Sequence, residues 1–285
     1  MKQLVIHADD LGADAARNAG IFEAMERGVV TGTSLLANGP AFEDAVRRIQ
    51  HLTVKVSIGI HINLSEGHPL TDNLRLLVGT DGAFLGKSET QRRLTNPMNP
   101  ELNGEIGREV KAQIQRIVAT GIRFDHLDGH QHAHVFPAPF PIVYRIARDA
   151  KIPWMRIPEE IDLVSAPDEG SLSRKKESRF FSTFAREARR QVSGDEIRIP
   201  DHFYGLALKG CLSTSVLVDL FRKLKPGLSE LMVHPGRVPA LPHGPFHGFS
   251  TPDREKELQA LLDPDLQTCL RESRIKLTPF PGTQD

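Results

Sequence analysis

The stretch Phe124-Asp125-His126-Leu127-Asp128-Gly129-His130-Gln131-His132-Ala133-His134 places four of the chain's twelve histidines and two carboxylates within eleven residues. Imidazoles are hard to bury neutral without partners, so four together make a poor core but a good metal or proton-transfer site. The ordinary alternative is a solvated, His-rich loop. Within the cluster His130 is the best ligand candidate, because it follows a predicted strand in an Asp128-Gly129 setting that lets its ring turn inward. His126 and Asp128 share one face of that strand and can fix the tautomers of ligating rings. His132 and His134 either line the pocket or cap the following helix.

Three other places carry polar residues of the same kind. Asp9-Asp10 ends an apolar run, His61 ends Gly59-Ile60-His61, and His234 precedes Pro235-Gly236. Each has an ordinary reading in isolation: a turn or helix N-cap for the two aspartates, a satisfied half-buried histidine for His61, a turn residue for His234. The functional reading is that the adjacent carboxylates point different ways, so that one binds a cation while the other accepts a proton. One carboxylate with two imidazoles is a common three-ligand set that leaves positions open for water and substrate. A metal held in this way acidifies bound water and polarises a carbonyl, and hydrolysis of an amide or ester is the natural outcome.

The elements needed to bring these places together can be read from periodicity. Strands are predicted at Gln3–Ala8, Val29–Leu36, Val54–Leu64, Ile122–Asp128, Trp154–Ile157, Glu196–Ile199, Leu228–Val233 and Ile275–Pro279. Helices are predicted at Ala13–Arg27, Ala41–Gln50, Leu102–Ala119, Phe140–Ala150, Phe180–Val192, Ser213–Leu224 and Asp253–Leu262, with another starting at Pro264. Ser65 to Pro100 loses periodicity and reads as a long surface excursion, and residues 159–196 are less regular. This alternation indicates one parallel-stranded α/β domain over residues 1–285. Its length favours a distorted, incomplete barrel of seven or eight strands over an open sheet. In such a barrel every strand's C-terminal end points to one face, where active sites are built.

Composition is that of an ordinary soluble chain. The 285 residues balance 36 Lys plus Arg against 36 Asp plus Glu, which gives no support to a nucleic-acid partner. Cys211 and Cys269 lie far apart, outside any thiolate-zinc pattern. No signal peptide or transmembrane segment is expected, and cytoplasm is the default location.

Ala8-Asp9-Asp10-Leu11-Gly12, Gly59-Ile60-His61, His126-Leu127-Asp128-Gly129-His130-Gln131-His132-Ala133-His134, Glu230-Leu231-Met232-Val233-His234-Pro235-Gly236, and Arg254 with Glu257-Leu258 stand in the order found in the YdjC-like carbohydrate deacetylases. The chain resembles that family, which includes chitooligosaccharide and hopanoid-associated deacetylases, from about Lys2 to Phe280. The resemblance implies a distorted β/α barrel, one divalent cation, magnesium or zinc, and removal of an N-acetyl group from an amino sugar. It also implies that Asp10, His61 and His130 are the metal ligands, Asp9 the general base and His234 the general acid. His7, His126, Asp128, His132, His134 and Arg254 are then outer-sphere or substrate-binding residues. The family often has Asn at His7, Phe at Leu11 and His at Gln131, departures that bear on substrate more than on reaction class. His7 shares the strand face of Asp9 and could alter the base.

A small carbohydrate is the expected partner, with a homodimer left open. The basic, Phe-containing region Ser171 to Arg190 reads as a solvated helix with a buried aromatic face, or as a lid or interface helix that meets an anionic or lipid-linked substrate. Against the amidohydrolase stand two other readings. One uses the same site for phosphoester or glycosidic cleavage, the latter lacking an acid pair independent of the metal set, and the other is a sugar-binding protein with a structural metal, which has no need of Asp9 beside Asp10.

Overall fold

In the computed structural model, which describes residues 1–161, 171–192, 196–240 and 244–282, eight parallel strands curl into an incomplete barrel wrapped by helices. The strands are β1 (Lys2–Leu11), β2 (Gly32–Leu35), β3 (Ser57–Ile62), β4 (His126–Gly129), β5 (Trp154–Met155), β6 (His202–Tyr204), β7 (Gly227–Val233) and β8 (Ile275–Leu277). Their order is β5-β4-β3-β2-β1-β7-β6, with β8 pairing only the first residues of β1. Every pairing is parallel. All strand C-termini therefore open on one face.

Helices α1 (Ala15–Arg27), α2 (Phe42–Gln50), α3 (Lys87–Leu94), α4 (Pro100–Val118), α5 (Phe140–Asp149), α6 (Ser171–Gln191), α7 (Thr214–Lys223), α8 (Pro252–Leu262) and α9 (Pro264–Glu272) complete the described architecture. Their starts follow sequence chemistry. Asp14 and Asn99 accept hydrogen bonds from Arg17 and Leu102 N–H as N-caps of α1 and α4, and Pro100 occupies the first turn of α4. The face of α4 formed by Ile106, Val110, Ile114 and Ile117 is buried in the main core, as the 3.6-residue period requires.

Two expectations change. The strand expected over Glu196–Ile199 shrinks to a single bridge, with Arg198 exchanging backbone hydrogen bonds with Pro153 and Met155. Pro200 has no N–H to continue a ladder, and pairing resumes two residues later as β6 against β7. The same bridge spans the gap between β5 and β6. Helix α6 begins nine residues before Phe180, at the start of the basic region Ser171 to Arg190, and its buried face includes Ser178 and Ser182. Ser178 Oγ donates to Glu160 and Ser182 Oγ accepts from the Glu160 N–H. Of the irregular stretch 159–196, residues 162–170 and 193–195 lie outside the described residues.

The excursion from Ser65 to Pro100 contains α3 and is tied down. Buried Glu105 accepts the N–H groups of Arg75, Leu76 and Leu77, and buried Glu109 those of Leu70 and Thr71. Two carboxylates on α4 thus satisfy a loop backbone that would otherwise be buried without partners. No helix among the described residues is long and apolar enough to cross a membrane.

Candidate active site

The parallel topology gathers Asp9, Asp10, His61, His130, His132, His234 and Arg254 around one cavity at the strands' C-terminal face. Lys87 of α3 and Glu177 of α6 form an ion pair in its wall, and Phe181 of α6 also faces it. The helix over 171–190 therefore borders the site.

The two aspartates do not alternate as strand neighbours should. The register with β2 shifts between Ala8 and Leu11, and Asp10 has φ of 70°. This local irregularity brings both carboxylates to the same cavity, where regular pleating would have sent one to the opposite face. What separates them is their partners. Asp10 Oδ1 lies 2.8 Å from His130 Nδ1 and 3.3 Å from His61 Nε2, while its Oδ2 meets the buried guanidiniums of Arg17 at 3.2 Å and Arg254 at 3.5 Å. Burial works to raise the Asp10 carboxyl, but His130, His61 and Arg17 outweigh it and hold it well below the usual range.

His61 and Asp128 are direct register partners on β3 and β4. Asp128 Oδ1 accepts from His61 Nδ1 at 2.8 Å, and Ser34 of β2 is within hydrogen-bond distance of both residues. With Nδ1 so engaged, His61 directs Nε2 into the site, and that buried nitrogen makes no hydrogen bond among the described residues. The ligand atoms of Asp10, His61 and His130 lie within 4.8 Å of one another. A carboxylate, two imidazoles and a buried ring nitrogen aimed at the same point suit a divalent cation. His7, His126 and Asp128 are as closely spaced, but His7 and His126 turn their Nε2 atoms on each other and Asp128 is occupied by His61 and Ser34.

Asp9 is held differently. Its two oxygens accept a fork from Arg156, Nη1 to Oδ2 and Nη2 to Oδ1, both at 2.7 Å, and Oδ1 also lies 2.8 Å from His7 Nδ1. Arg156 is completely buried. It also donates from Nε to Glu230 Oε1 at 2.7 Å and sits 3.0 Å from Asp128 Oδ2 through Nη2. Burial would raise the Asp9 carboxyl, but Arg156 and His7 hold it well below the usual range, so it is an anion.

The sequence reading missed Arg156, a cation facing three buried carboxylates. A lone charged residue at the end of the apolar run Trp154 to Ile157 was its only local mark.

His234 reaches the cavity from the end of β7. Its N–H donates to Glu257 Oε2 at 2.7 Å and its carbonyl accepts from Arg254 at 3.2 Å, so α8 fixes the turn that presents the ring. Burial lifts the Glu257 carboxyl to about 7 despite Arg254 nearby. The six-residue segment His130–Val135 is a broken 3₁₀ turn in which Gln131 and His132 have positive φ. It sends His132 to the cavity, packed against Phe181, and turns His134 away, with Nε2 2.9 Å from the Arg156 carbonyl. Of the alternatives for that pair, His132 lines the pocket and His134 supports Arg156.

A profile of the YdjC-like protein family matches residues 3–272. The chain is 36% identical over 280 residues to the carbohydrate deacetylase of Geobacillus stearothermophilus, covering 97% of this chain and 96% of that one. It is 31% identical over 296 residues to the carbohydrate deacetylase of Mus musculus, covering 96% and 93%. The fold is similar to that of a solved Enterococcus faecalis V583 protein named for cellobiose-phosphate cleavage, with a TM-score of 0.75 over 98% of this chain and 97% of that one. At 23% sequence identity this last likeness is one of fold alone.

Proposed function

Since this chain belongs to the YdjC-like family, we propose that it is a metal-dependent carbohydrate deacetylase that removes the N-acetyl group of an amino sugar and releases acetate. The observation that carries this reading is the pairing of two adjacent carboxylates with different partners, Asp10 also meeting Arg17 and Arg254. Asp10 faces two imidazoles, whereas Asp9 faces Arg156 and His7 beside the same cavity. A structural metal site has no use for the second carboxylate.

In this reading Asp10, His61 and His130 would hold magnesium or zinc, which when bound supplies Lewis-acid polarisation and acidifies water. The chain's own groups do the rest. Oδ1 of Asp9 already has two donors, so Oδ2, with one from Arg156, is where the proton of the attacking water is taken up. His234, across the cavity, gives a proton to the amide nitrogen as the C–N bond breaks, which turns a strongly basic leaving group into a neutral amine. Arg254, Glu257 and the turn at Pro235-Gly236 hold that ring in place. Acetate and the free amino sugar leave.

The substrate is tested by acetate release from N,N′-diacetylchitobiose, its longer homologues and lipid-linked N-acetylglucosamine compounds, with and without chelator. Chelator-sensitive acetate supports the reading and ranks the substrates. Absence of acetate from all of them, with metal bound, overturns the substrate class.

A second expectation concerns His61. Burial disfavours its charged form, but Asp128 and Asp10 prevail and raise its pKa to about 10. A cation binding at Nε2 below that pH must displace a proton. Metal affinity should therefore strengthen by ~tenfold per pH unit between about pH 7 and 9 and weaken as pH falls. Calorimetric titration in buffers of different ionisation enthalpy reads the released proton. A pH-independent affinity would exclude His61 as a ligand.

A further inference from the structure

Beneath the cavity lies a chain of side chains that the reaction above does not use. Asp125 Oδ1 is 2.7 Å from His126 Nδ1, His126 Nε2 is 2.7 Å from His7 Nε2, and His7 Nδ1 is 2.8 Å from Asp9 Oδ1. It runs from the start of β4 through the barrel interior to the end of β1, and all four residues are buried.

We infer that His7 and His126 are a charged imidazole pair holding one proton more than two neutral rings, and that His7 is thereby a positioning residue for Asp9. The argument is a count. Each of the three contacts joins two atoms that both accept unless a proton lies between them, so three contacts need three protons. Two neutral imidazoles carry two. The third makes the pair cationic.

The alternative is that His7 Nδ1 is bare and accepts from Arg156 Nη2, 2.7 Å away. Nη2 has two hydrogens, and both have better acceptors in Asp9 Oδ1 at 2.7 Å and Asp128 Oδ2 at 3.0 Å. A bare Nδ1 would also face the Asp9 carboxylate at 2.8 Å with no hydrogen between them. His7 Nδ1 is therefore the donor to Asp9.

The charged groups around the pair agree. Asp9 of β1, Asp128 of β4 and Asp125 just before it face the two rings, and Arg156 after β5 is the opposing cation, itself paired with Glu230 of β7.

The barrel is also shaped for the two rings. His7 stands in register with Gly32 and His126 with Gly59. A Cβ at Gly59 would fall 2.2 Å from His126 Nε2, and one at Gly32 3.2 Å from His7 Cδ2. Phe280 from the C-terminal segment packs on the His126 ring at 4.7 Å and closes the chain from below.

The consequence for the reaction rests on Asp9 as the base. With Oδ1 fixed by His7 and Arg156 and Oδ2 by Arg156 alone, the carboxylate cannot rotate, and Oδ2 remains the oxygen with fewer donors. An Asn at position 7 could donate one amide hydrogen to Asp9 but could not carry charge.

The proton count can be read without turnover, by nitrogen NMR of the full chain with labelled histidine at pH 8, well above the ordinary imidazole value of about 6.5. The His7→Asn and His126→Gln variants assign the signals. Three of the four ring nitrogens of His7 and His126 should be protonated in the wild type, and two in Asp125→Asn. His126→Gln should keep the His7 proton on Nδ1. Two protonated nitrogens in the wild type, three in Asp125→Asn, or a His7 proton moved to Nε2 in His126→Gln would each overturn the inference. Absence of deacetylation would leave the proton count standing, so the two readings fail separately.

Discussion

Asp9→Asn is expected to lower kcat for acetate release by about 10³-fold, within the range for loss of a general base, while the metal stays bound. The change is nearly isosteric and leaves Asp10, His61 and His130 untouched, so metal content and KM should hold. It removes the only basic lone pair that Arg156 leaves on Oδ2 and replaces one of three carboxylates around that cation, with Asp128 and Glu230 remaining. Arg156 therefore keeps compensation and the fold should survive, which circular dichroism and thermal unfolding can verify. A loss of less than tenfold would mean that the base is another group. Loss of metal together with activity would place Asp9 among the ligands.

Arg156→Met should have the largest effect on stability. The guanidinium is fully buried and faces Asp9, Asp128 and Glu230, themselves buried. Removing one partner of a buried ion pair costs about 3–5 kcal/mol, because the remaining charge has no compensation, and here three carboxylates are left. Arg156→Lys is no conservative replacement, since an ammonium cannot reproduce the fork on Asp9 together with the contact to Glu230.

The pH dependence gives this prediction a sign. In the wild type, burial alone would raise the Asp9 and Asp128 carboxyls, but Arg156 is chief among the groups that depress both below the usual range. Their stabilisation is thus present above the unfolded value of about 4 and lost as pH falls through the lower folded values. Without Arg156, burial is far less opposed and should raise these carboxyls. The stability difference between variant and wild type should then narrow as pH falls from about 8 toward 5. Urea unfolding at several pH values measures both the loss and the slope. A loss under about 1 kcal/mol would show that water or local rearrangement compensates the carboxylates.

The sequence made this face of the fold legible for a simple reason. Asp9-Asp10, His61, His130 and His234 each follow an apolar run, and parallel topology converts four separate strand ends into one surface. What lay hidden depended on tertiary partners. Arg156 is 147 residues from Asp9 and 74 from Glu230 in sequence, so nothing local distinguishes it from a surface arginine ending a short strand. The first half of helix α6 lacks an apolar mark at Ser178, which faces inward on account of Glu160. The ordering of residues 70–77 depends on Glu105 and Glu109, which a periodicity reading assigns to the solvent side of α4. The common orientation of Asp9 and Asp10 required the break in β1, which no residue type announces.

The central claim, that a cation held by Asp10, His61 and His130 serves deacetylation, is tested most directly by stripping the protein with chelator, restoring zinc or magnesium in graded amounts, and following acetate released from N,N′-diacetylchitobiose. Acetate release should vanish on stripping, return in proportion to metal up to one ion per chain, and fail to return in His61→Ala at the same metal concentrations. Undiminished acetate release from stripped protein, or full restoration of His61→Ala, would contradict it.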